Sequence, residues 1–329
     1  MLISWNTTKK CNLNCVHCYR ESGIDVDTSN ELTTEEGRKL ITEIKKAGFR
    51  MLILSGGEPL LRDDIFEMIA AARQEGLIPA MGSNGTLLSK DVAAELFKNG
   101  LKGVAISLDS LDKKYHDEFR GQVGAFDKAQ EGIENALTAG LRVQINMTVT
   151  EKNQEEFANL VSYYEKKRVH AIHPFFLVPT GRALSMEEDS LREVAYFSMI
   201  RSVLELQGTT SLELKPTCAP QFMPMAHEMG LSQRFTRGCL AGTAYCCILP
   251  EGQVNVCPYL PVGAGNVREE AFDKIWKSSP VFLKLRDIKN YEGECGSCEY
   301  ADICGGCRAR AYYYKGNYLA EEPWCFKRG

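Results

Sequence analysis

The 329-residue sequence has no uninterrupted apolar run approaching the ~18–20 residues of a transmembrane helix. Its opening segment, MLISWNTTKKC, lacks the basic-then-apolar pattern of a secretion signal, which predicts a cytoplasmic protein with no membrane partner. Charge of one sign is not in excess. With 39 basic and 43 acidic residues the net charge is −4, without the basic footprint that nucleic-acid binding leaves. Internal repeats and low-complexity linkers are absent, and 44% hydrophobic with 25% charged residues excludes disordered and fibrous classes. Cysteine is missing from a long stretch: residues 19 to 217 contain none. Yet the chain holds 13, with Cys11, Cys15 and Cys18 near the start, Cys218 alone, and nine within residues 239–329. An odd count without a secretion signal argues against a disulfide scaffold. Bunching at short spacings points instead to metal or iron–sulfur ligation at both ends of a cysteine-free scaffold.

The scaffold has a regular beat. Apolar, β-branched segments read as strands over Leu2–Thr8, Phe49–Ser55, Ile78–Ser83, Gly103–Asp109, Arg142–Thr150 and Ala171–Val178. Amphipathic stretches of helical period lie between them, over Thr33–Ala47, Asp63–Glu75, Ser89–Asn99, Phe126–Ala139 and Gln154–Lys166. Thr33 or Thr34, Asp63 and Ser89 are expected to cap helix starts, and Gly48, Gly76, Gly100 and Gly140 to mark exits. Alternating strands and helices imply an α/β fold with a parallel sheet, open or closed as a barrel, and chemistry at the strands' C-terminal ends. Residues 186–238 read as a helix, Leu191–Gln207, and an irregular connector. From Cys239 onward the sequence turns to glycine, cysteine and short strands.

Cys11-Asn-Leu-Asn-Cys15-Val-His-Cys18 places three thiols on the loop after the first strand. Three cysteines can hold three irons of a [4Fe–4S] cube and leave the fourth open, whereas structural sites close with four. A zinc site completed by His17 or a distant ligand is the alternative. The triplet, with Gly56-Gly57-Glu58-Pro59 closing the second strand, resembles the signature of the radical S-adenosylmethionine (SAM) superfamily. The resemblance implies a partial (β/α)6 TIM-like barrel in which SAM chelates the open iron and is cleaved by one electron to a 5′-deoxyadenosyl radical. Gly56, Gly57 and Glu58 would then receive the SAM ammonium, the glycines by leaving the backbone bare. Asn84, Ser107, Arg120 and Gln144 would line the rest of the SAM site, with Ser107 on the ribose and Arg120 on the carboxylate. Turn or cap hydrogen bonds are the bland reading for such residues.

The second bunch reads Cys239-x12-Gly252-x4-Cys257, then Cys295-x2-Cys298-x5-Cys304-x2-Cys307, then Cys325. It resembles the SPASM extension of radical SAM enzymes, which carries one or two auxiliary [4Fe–4S] clusters; the usual x3 gap before the fourth cysteine of the run is x2 here. By that resemblance one cluster uses Cys239, Cys246 or Cys247, Cys257 and Cys307, and the other Cys295, Cys298, Cys304 and Cys325. A zinc ribbon, or one cluster with spare thiols, is the alternative. Cys218 fits neither set and is either a small buried hydrophobe or a catalytic pocket thiol. The expected division is a radical SAM core over 1–185, a bridge over 186–238 and an auxiliary Fe–S domain over 239–329.

Further stretches are more specific. Trp5-Asn-Thr-Thr-Lys-Lys-Cys11, Phe175–Ala183, Lys215-Pro-Thr-Cys218-Ala-Pro220 and Cys304-Gly-Gly-Cys307-Arg-Ala-Arg310 resemble the NirJ/AhbC/AhbD group of siroheme-route heme-biosynthesis enzymes. That resemblance implies removal or decarboxylation of acetate or propionate side chains of an iron tetrapyrrole, with a low-potential electron donor of flavodoxin or ferredoxin type. A flat disc edged with carboxylates calls for aromatic faces and arginines, which Phe175, Phe176, Arg182, Arg308, Arg310 and Tyr312–Tyr314 offer; packing and solvation are the plainer roles. His17, His173 and His227 are candidate heme-iron ligands. Competing readings are a SPASM peptide maturase and a noncatalytic Fe–S or heme-binding scaffold. The triplet begins at residue 11, leaving no room ahead of the core for the leader-binding domain many maturases carry.

Overall fold

The computed structural model describes residues 1–325 and 327. Seven strands run parallel in chain order: β1 Leu2–Thr8, β2 Met51–Gly56, β3 Ile78–Ser83, β4 Gly103–Ser107, β5 Arg142–Val149, β6 Ala171–Phe176 and β7 Glu213–Leu214. Helices α1 Thr34–Lys46, α2 Ile65–Gln74, α3 Lys90–Lys98, α4 Lys113–Arg120, α5 Ala125–Thr138 and α6 Phe157–Lys166 fill the crossovers. The expected α/β architecture is met, and the sheet extends beyond it. Strand β8 Tyr245–Ile248 pairs parallel to the free edge of β1, and β9 Gln253–Cys257 and β10 Leu260–Asn266 continue antiparallel. The result is one open ten-stranded sheet, with β10 at one end and β7 at the other.

The two faces of the sheet differ in chemistry. Residues toward the helices, such as Leu52, Leu54, Val104, Ile106, Val143 and Ile145, are buried and apolar. Trp5 reaches α1, where a Cβ on Gly37 would lie 2.7 Å from its ring. The alternate positions Ser55, Gly82, Ala105, Ser107, Gln144, Asn146 and His173 are small or polar and only half-buried. Apolar burial therefore holds the outer layer together, while the inner face is left open and polar for a ligand.

The helix starts follow local capping chemistry. Thr33 and Glu36 form a reciprocal capping box on α1, and Ser89 Oγ accepts from Val92 N at 3.2 Å. At α2 the N-cap is Asp64, not Asp63, and it makes no side-chain cap: its carboxylate takes the Arg62 guanidinium at 2.6 and 2.9 Å instead. Helix α4 was not expected. Its eight residues are capped by Asp112, which accepts from Lys114 N and Tyr115 N, and it ends at Gly121 in the left-handed region.

Candidate active site

The Cys11–Cys18 loop leaves the C-terminal end of β1. Cys11 and Cys15 are buried, with Leu13 and Ala125 in the same apolar nest, and Cys18 is half-buried against it. Burial pushes the Cys11 thiol up to about 12, and burial also raises Cys15, opposed by the charge of Arg120. Three donors point toward sulfur: Leu13 N lies 3.4 Å from Cys11 Sγ, Asn84 Nδ2 3.9 Å from it, and Arg120 Nη1 4.0 Å from Cys15 Sγ. Among the described residues, no three ligand side chains already stand in coordinating positions. Around the loop, however, buried donors lack partners, including Asn6 Nδ2, His17 Nδ1, Arg20 Nε and Arg182 Nη2. Donors directed at sulfur and orphaned donors beside it suit a sulfide-bearing cluster, whose sulfurs accept hydrogen bonds.

Arg120 sits at the end of α4, and Asp109 follows β4. Arg120 Nε and Nη2 donate to the two Asp109 oxygens at 2.6 and 2.8 Å, and Thr148 N donates to the same carboxylate at 3.0 Å. Despite burial, Arg120 holds the Asp109 carboxyl at about 2. His17 stacks on Phe119 with ring centroids 4.0 Å apart. Burial and the Arg120 charge hold His17 at about 3, so it is neutral.

The Gly-Gly-Glu segment has a structural role of its own. A Cβ on Gly56 would meet Thr8 O at 2.3 Å, and one on Gly57 would meet Lys10 O at 2.3 Å. Gly57 N and Glu58 N donate to Thr8 O and Lys10 O at 2.7 and 2.9 Å. The missing side chains thus let two backbones touch, positioning the chain that enters the cysteine loop. Glu58 is fully buried and accepts from Ser83 Oγ at 2.9 and 3.0 Å, Asn84 N at 2.8 Å and Leu60 N at 3.3 Å. Burial outweighs these bonds and raises its carboxyl to about 7. Asn84 Nδ2 donates to Asn12 Oδ1 at 2.9 Å. Glu58 and Asn84 therefore tie β2 and β3 to the loop.

Ser107 and Asn146 are register partners on β4 and β5, and Gln144 Nε2 donates to Asn146 Oδ1 at 2.7 Å, all on the inner face. His173 Nε2 lies 3.3 Å from Glu213 Oε1. Nearby Lys215 places Nζ 4.7 Å from the Phe235 ring centroid, and burial lowers its ammonium. Lys215 forms no ion pair among the described residues. Sequence pattern alone does not single out this lysine; its signal is a cation on the segment that follows β7.

The three expected substrate arginines are committed inside the protein. Arg182 donates from Nε to Cys15 O at 2.8 Å and from Nη1 to Ser22 O at 3.0 Å. Arg308 donates to Tyr318 O and Ala320 O at 3.1 and 2.8 Å, and its Nη2 lies 3.5 Å from Cys295 Sγ. Arg310 pairs with Glu322 at 3.2 Å, donates to Cys218 O at 2.7 Å, and stacks 4.2 Å from the Trp324 ring centroid.

The late cysteines fall into distinct neighbourhoods. Cys295, Cys298, Cys304 and Cys325 line one cavity of ≈ 270 Å³. Backbone donors Glu322 N and Tyr300 N lie 3.3 and 3.4 Å from the sulfurs of Cys295 and Cys298. Cys246 and Cys247 alternate on β8, both fully buried: Cys246 lies level with Ile3 and Cys247 with Ser4. Cys218 adopts φ +62 and sits directly after Thr217, which bridges to Phe175 of β6. His17 lies on the cysteine loop itself, while His227 lies against Tyr300 with ring centroids 5.7 Å apart.

Residues 5–164 match the family model described as the radical SAM superfamily, and residues 239–299 match an iron–sulfur cluster-binding domain, SPASM. The chain is 40% identical over 339 residues to the AdoMet-dependent heme synthase of Methanosarcina barkeri, covering 99% of this chain and 96% of that protein. It is 31% identical to the Fe-coproporphyrin III synthase of the same organism, covering 99% and 87%. Among solved structures, Streptococcus suis SuiB bound to S-adenosylmethionine superposes with a TM-score of 0.77 at 18% identity, covering 98% of this chain and 76% of that one.

Proposed function

The chain belongs to the radical SAM superfamily, in the family that contains the AdoMet-dependent heme synthases, and from this premise we propose that it decarboxylates propionate side chains of an iron tetrapyrrole. The observation that carries the reading is 40% identity over nearly the full length of both chains to the heme synthase. The protein uses S-adenosylmethionine and [4Fe–4S] clusters. When bound, these supply an electron that splits SAM to a hydrogen-abstracting 5′-deoxyadenosyl radical, and auxiliary centres able to hold an electron.

Cys11, Cys15 and Cys18 hold the SAM-binding cluster, with Arg182 and Asn84 fixing their loop. Glu58, Ser107, Gln144 and the free edge of Arg120 border the SAM site, in support of which Glu58 follows β2, Ser107 ends β4, Arg120 ends α4 and Gln144 lies on the inner face of β5. Cys295, Cys298, Cys304 and Cys325 hold one auxiliary cluster, a reading supported by their shared cavity. Cys239, Cys257 and Cys307 contribute to another. The substrate disc lies on the open inner face near His173 and Phe175. Since Arg308 and Arg310 are engaged internally and Arg182 holds the cysteine loop, Lys215 is a cation available to a propionate. Residues 1–185, 186–238 and 239–329 then divide the work into radical generation, substrate contact and auxiliary clusters.

Each turnover removes a hydrogen atom from the propionate carbon β to the carboxylate and expels carbon dioxide. That leaves a vinyl group and one electron, so the reaction needs an acceptor as well as a flavodoxin- or ferredoxin-type donor. No helix among the described residues is long and apolar enough to cross a membrane, and a cytoplasmic setting suits oxygen-sensitive clusters. The test is anaerobic incubation of the reconstituted protein with SAM, reductant and iron-coproporphyrin III. A product lighter by carbon dioxide and two hydrogens per side chain is expected; unchanged mass overturns the proposal.

A further inference from the structure

Resting on the tetrapyrrole reading above, we propose that Arg20 is the residue that grips a propionate carboxylate of the substrate. Arg20 stands two residues after Cys18, in a turn whose Glu21 N donates to Cys18 O at 3.4 Å. Its Nε is buried yet has no hydrogen-bond partner, and among the described residues the guanidinium forms no ion pair. By contrast Arg62 is engaged with Asp64, Arg120 with Asp109, Arg182 with Cys15 O and Arg310 with Glu322. A guanidinium N–H taken out of water without a partner is destabilising, and a bound anion supplies the missing acceptor.

The turn is held from a distant part of the chain. Arg182 N donates to Cys18 O at 3.0 Å, and a Cβ on Gly181 would lie 2.7 Å from Tyr19 O, so the backbone beyond β6 presses on the turn. Directly after Arg20, Glu21 takes φ +53, in the left-handed region that a residue with a Cβ rarely adopts. Four strands separate β1 from β6 in the sheet, yet this contact brings the cysteine loop to where β6 ends. The inner face of β6 carries His173 and Phe175. Arg20 thus stands where the two sides of the opening meet.

The wall beside it suits a carboxylate-edged disc. Arg20 Cζ lies 5.9 Å from the Tyr19 ring centroid, and that ring stands edge-on to Tyr259 at 5.0 Å. Tyr19 OH donates to Asn6 Oδ1 at 3.4 Å on the inner face of β1, where Asn6 Nδ2 is a second buried donor without a partner. A planar fork beside two aromatic rings recognises a carboxylate on a flat apolar ligand, taking the charge bidentately and the disc by contact with the rings. Cluster sulfur asks less of it. Cys11 and Cys15 already have Leu13 N, Asn84 Nδ2 and Arg120 Nη1 directed at them, and a neutral donor would serve there. With Lys215 on the segment after β7, the substrate meets two cations, each on one propionate.

The experiment titrates iron-coproporphyrin III, and separately its fully methylated ester, into the anaerobically reconstituted protein and follows the Soret band in wild type, Arg20→Gln and Arg20→Lys. Circular dichroism, iron per chain and the electron paramagnetic resonance spectrum of the reduced protein check that fold and clusters are kept. Arg20→Gln should raise Kd for the acid about 10-fold or more, with Arg20→Lys recovering only part of the loss. Kd for the ester should be the same in all three, since no carboxylate is left to grip. An unchanged Kd for the acid overturns the assignment, as does an equal loss for the ester, which makes Arg20 a packing residue. Loss of iron in Arg20→Gln overturns it too and gives the guanidinium to the cluster. Where the wild type converts the acid, those results leave the decarboxylation reading intact. A wild type that neither binds nor converts the acid overturns both.

Discussion

Arg120 grips Asp109 through two parallel hydrogen bonds of 2.6 and 2.8 Å, and the third nitrogen of the same guanidinium lies 4.0 Å from the sulfur of Cys15. One carboxylate behind β4 thereby sets the orientation of the cation facing the cysteine loop. The pair is buried, so neither charge has water as an alternative partner.

Asp109→Asn should therefore leave a buried guanidinium uncompensated and destabilise the protein by about 3–5 kcal/mol. Denaturant unfolding of the variant measures it. Iron retention at the first cluster should fall in parallel, while Arg120→Lys, lacking the fork, should not restore it.

Glu58 makes stability depend on pH. Its folded carboxyl titrates at about 7, above the ordinary 4.5, because burial disfavours its charge. The folded state therefore binds more protons than the unfolded state between those values. Its contribution is fully present below about 4.5 and is lost as pH rises to about 7, a difference of roughly 3 kcal/mol. Melting temperature should fall across that window in wild type and stay flatter in Glu58→Gln.

Gly56→Ala or Gly57→Ala would drive a methyl to 2.3 Å from Thr8 O or Lys10 O. Backbone cannot yield as a side-chain tip can. Each variant should lose ~2 kcal/mol or more and bind less iron at the first cluster, with the auxiliary iron retained. Thermal unfolding and metal analysis check both parts.

Arg182→Ala should act on the cluster loop and not on substrate affinity. It removes donors to Cys15 O and Ser22 O, a loss on the order of 2 kcal/mol of local stability. Reduced iron with KM for the tetrapyrrole unchanged is expected. A raised KM with full iron would restore the arginine to the substrate.

Much of this was legible along the chain because it is local. Strand β1 spans the expected Leu2–Thr8, and β3 the expected Ile78–Ser83. The expected strand through Asp109 stops at Ser107, since Asp109 turns away to receive Arg120. Helix α4 carries almost no apolar period, since six of its eight residues are charged or histidine, and its burial depends on Phe119 meeting His17. Side-chain direction was the larger gap. Arg308 and Arg310 carry the right chemistry for a carboxylate, yet both point into the protein, which only tertiary packing decides. The pairing of β8 with β1, which sets Leu2 level with Tyr245 from the far end of the chain, has no local signal at all.

The central claim is tested most directly by the ratio of 5′-deoxyadenosine formed to carbon dioxide released when the reconstituted protein turns over iron-coproporphyrin III. One nucleoside per carbon dioxide, with heme as the final product, is the predicted result. Nucleoside formed with no carbon dioxide released, in the presence of the tetrapyrrole, would contradict it.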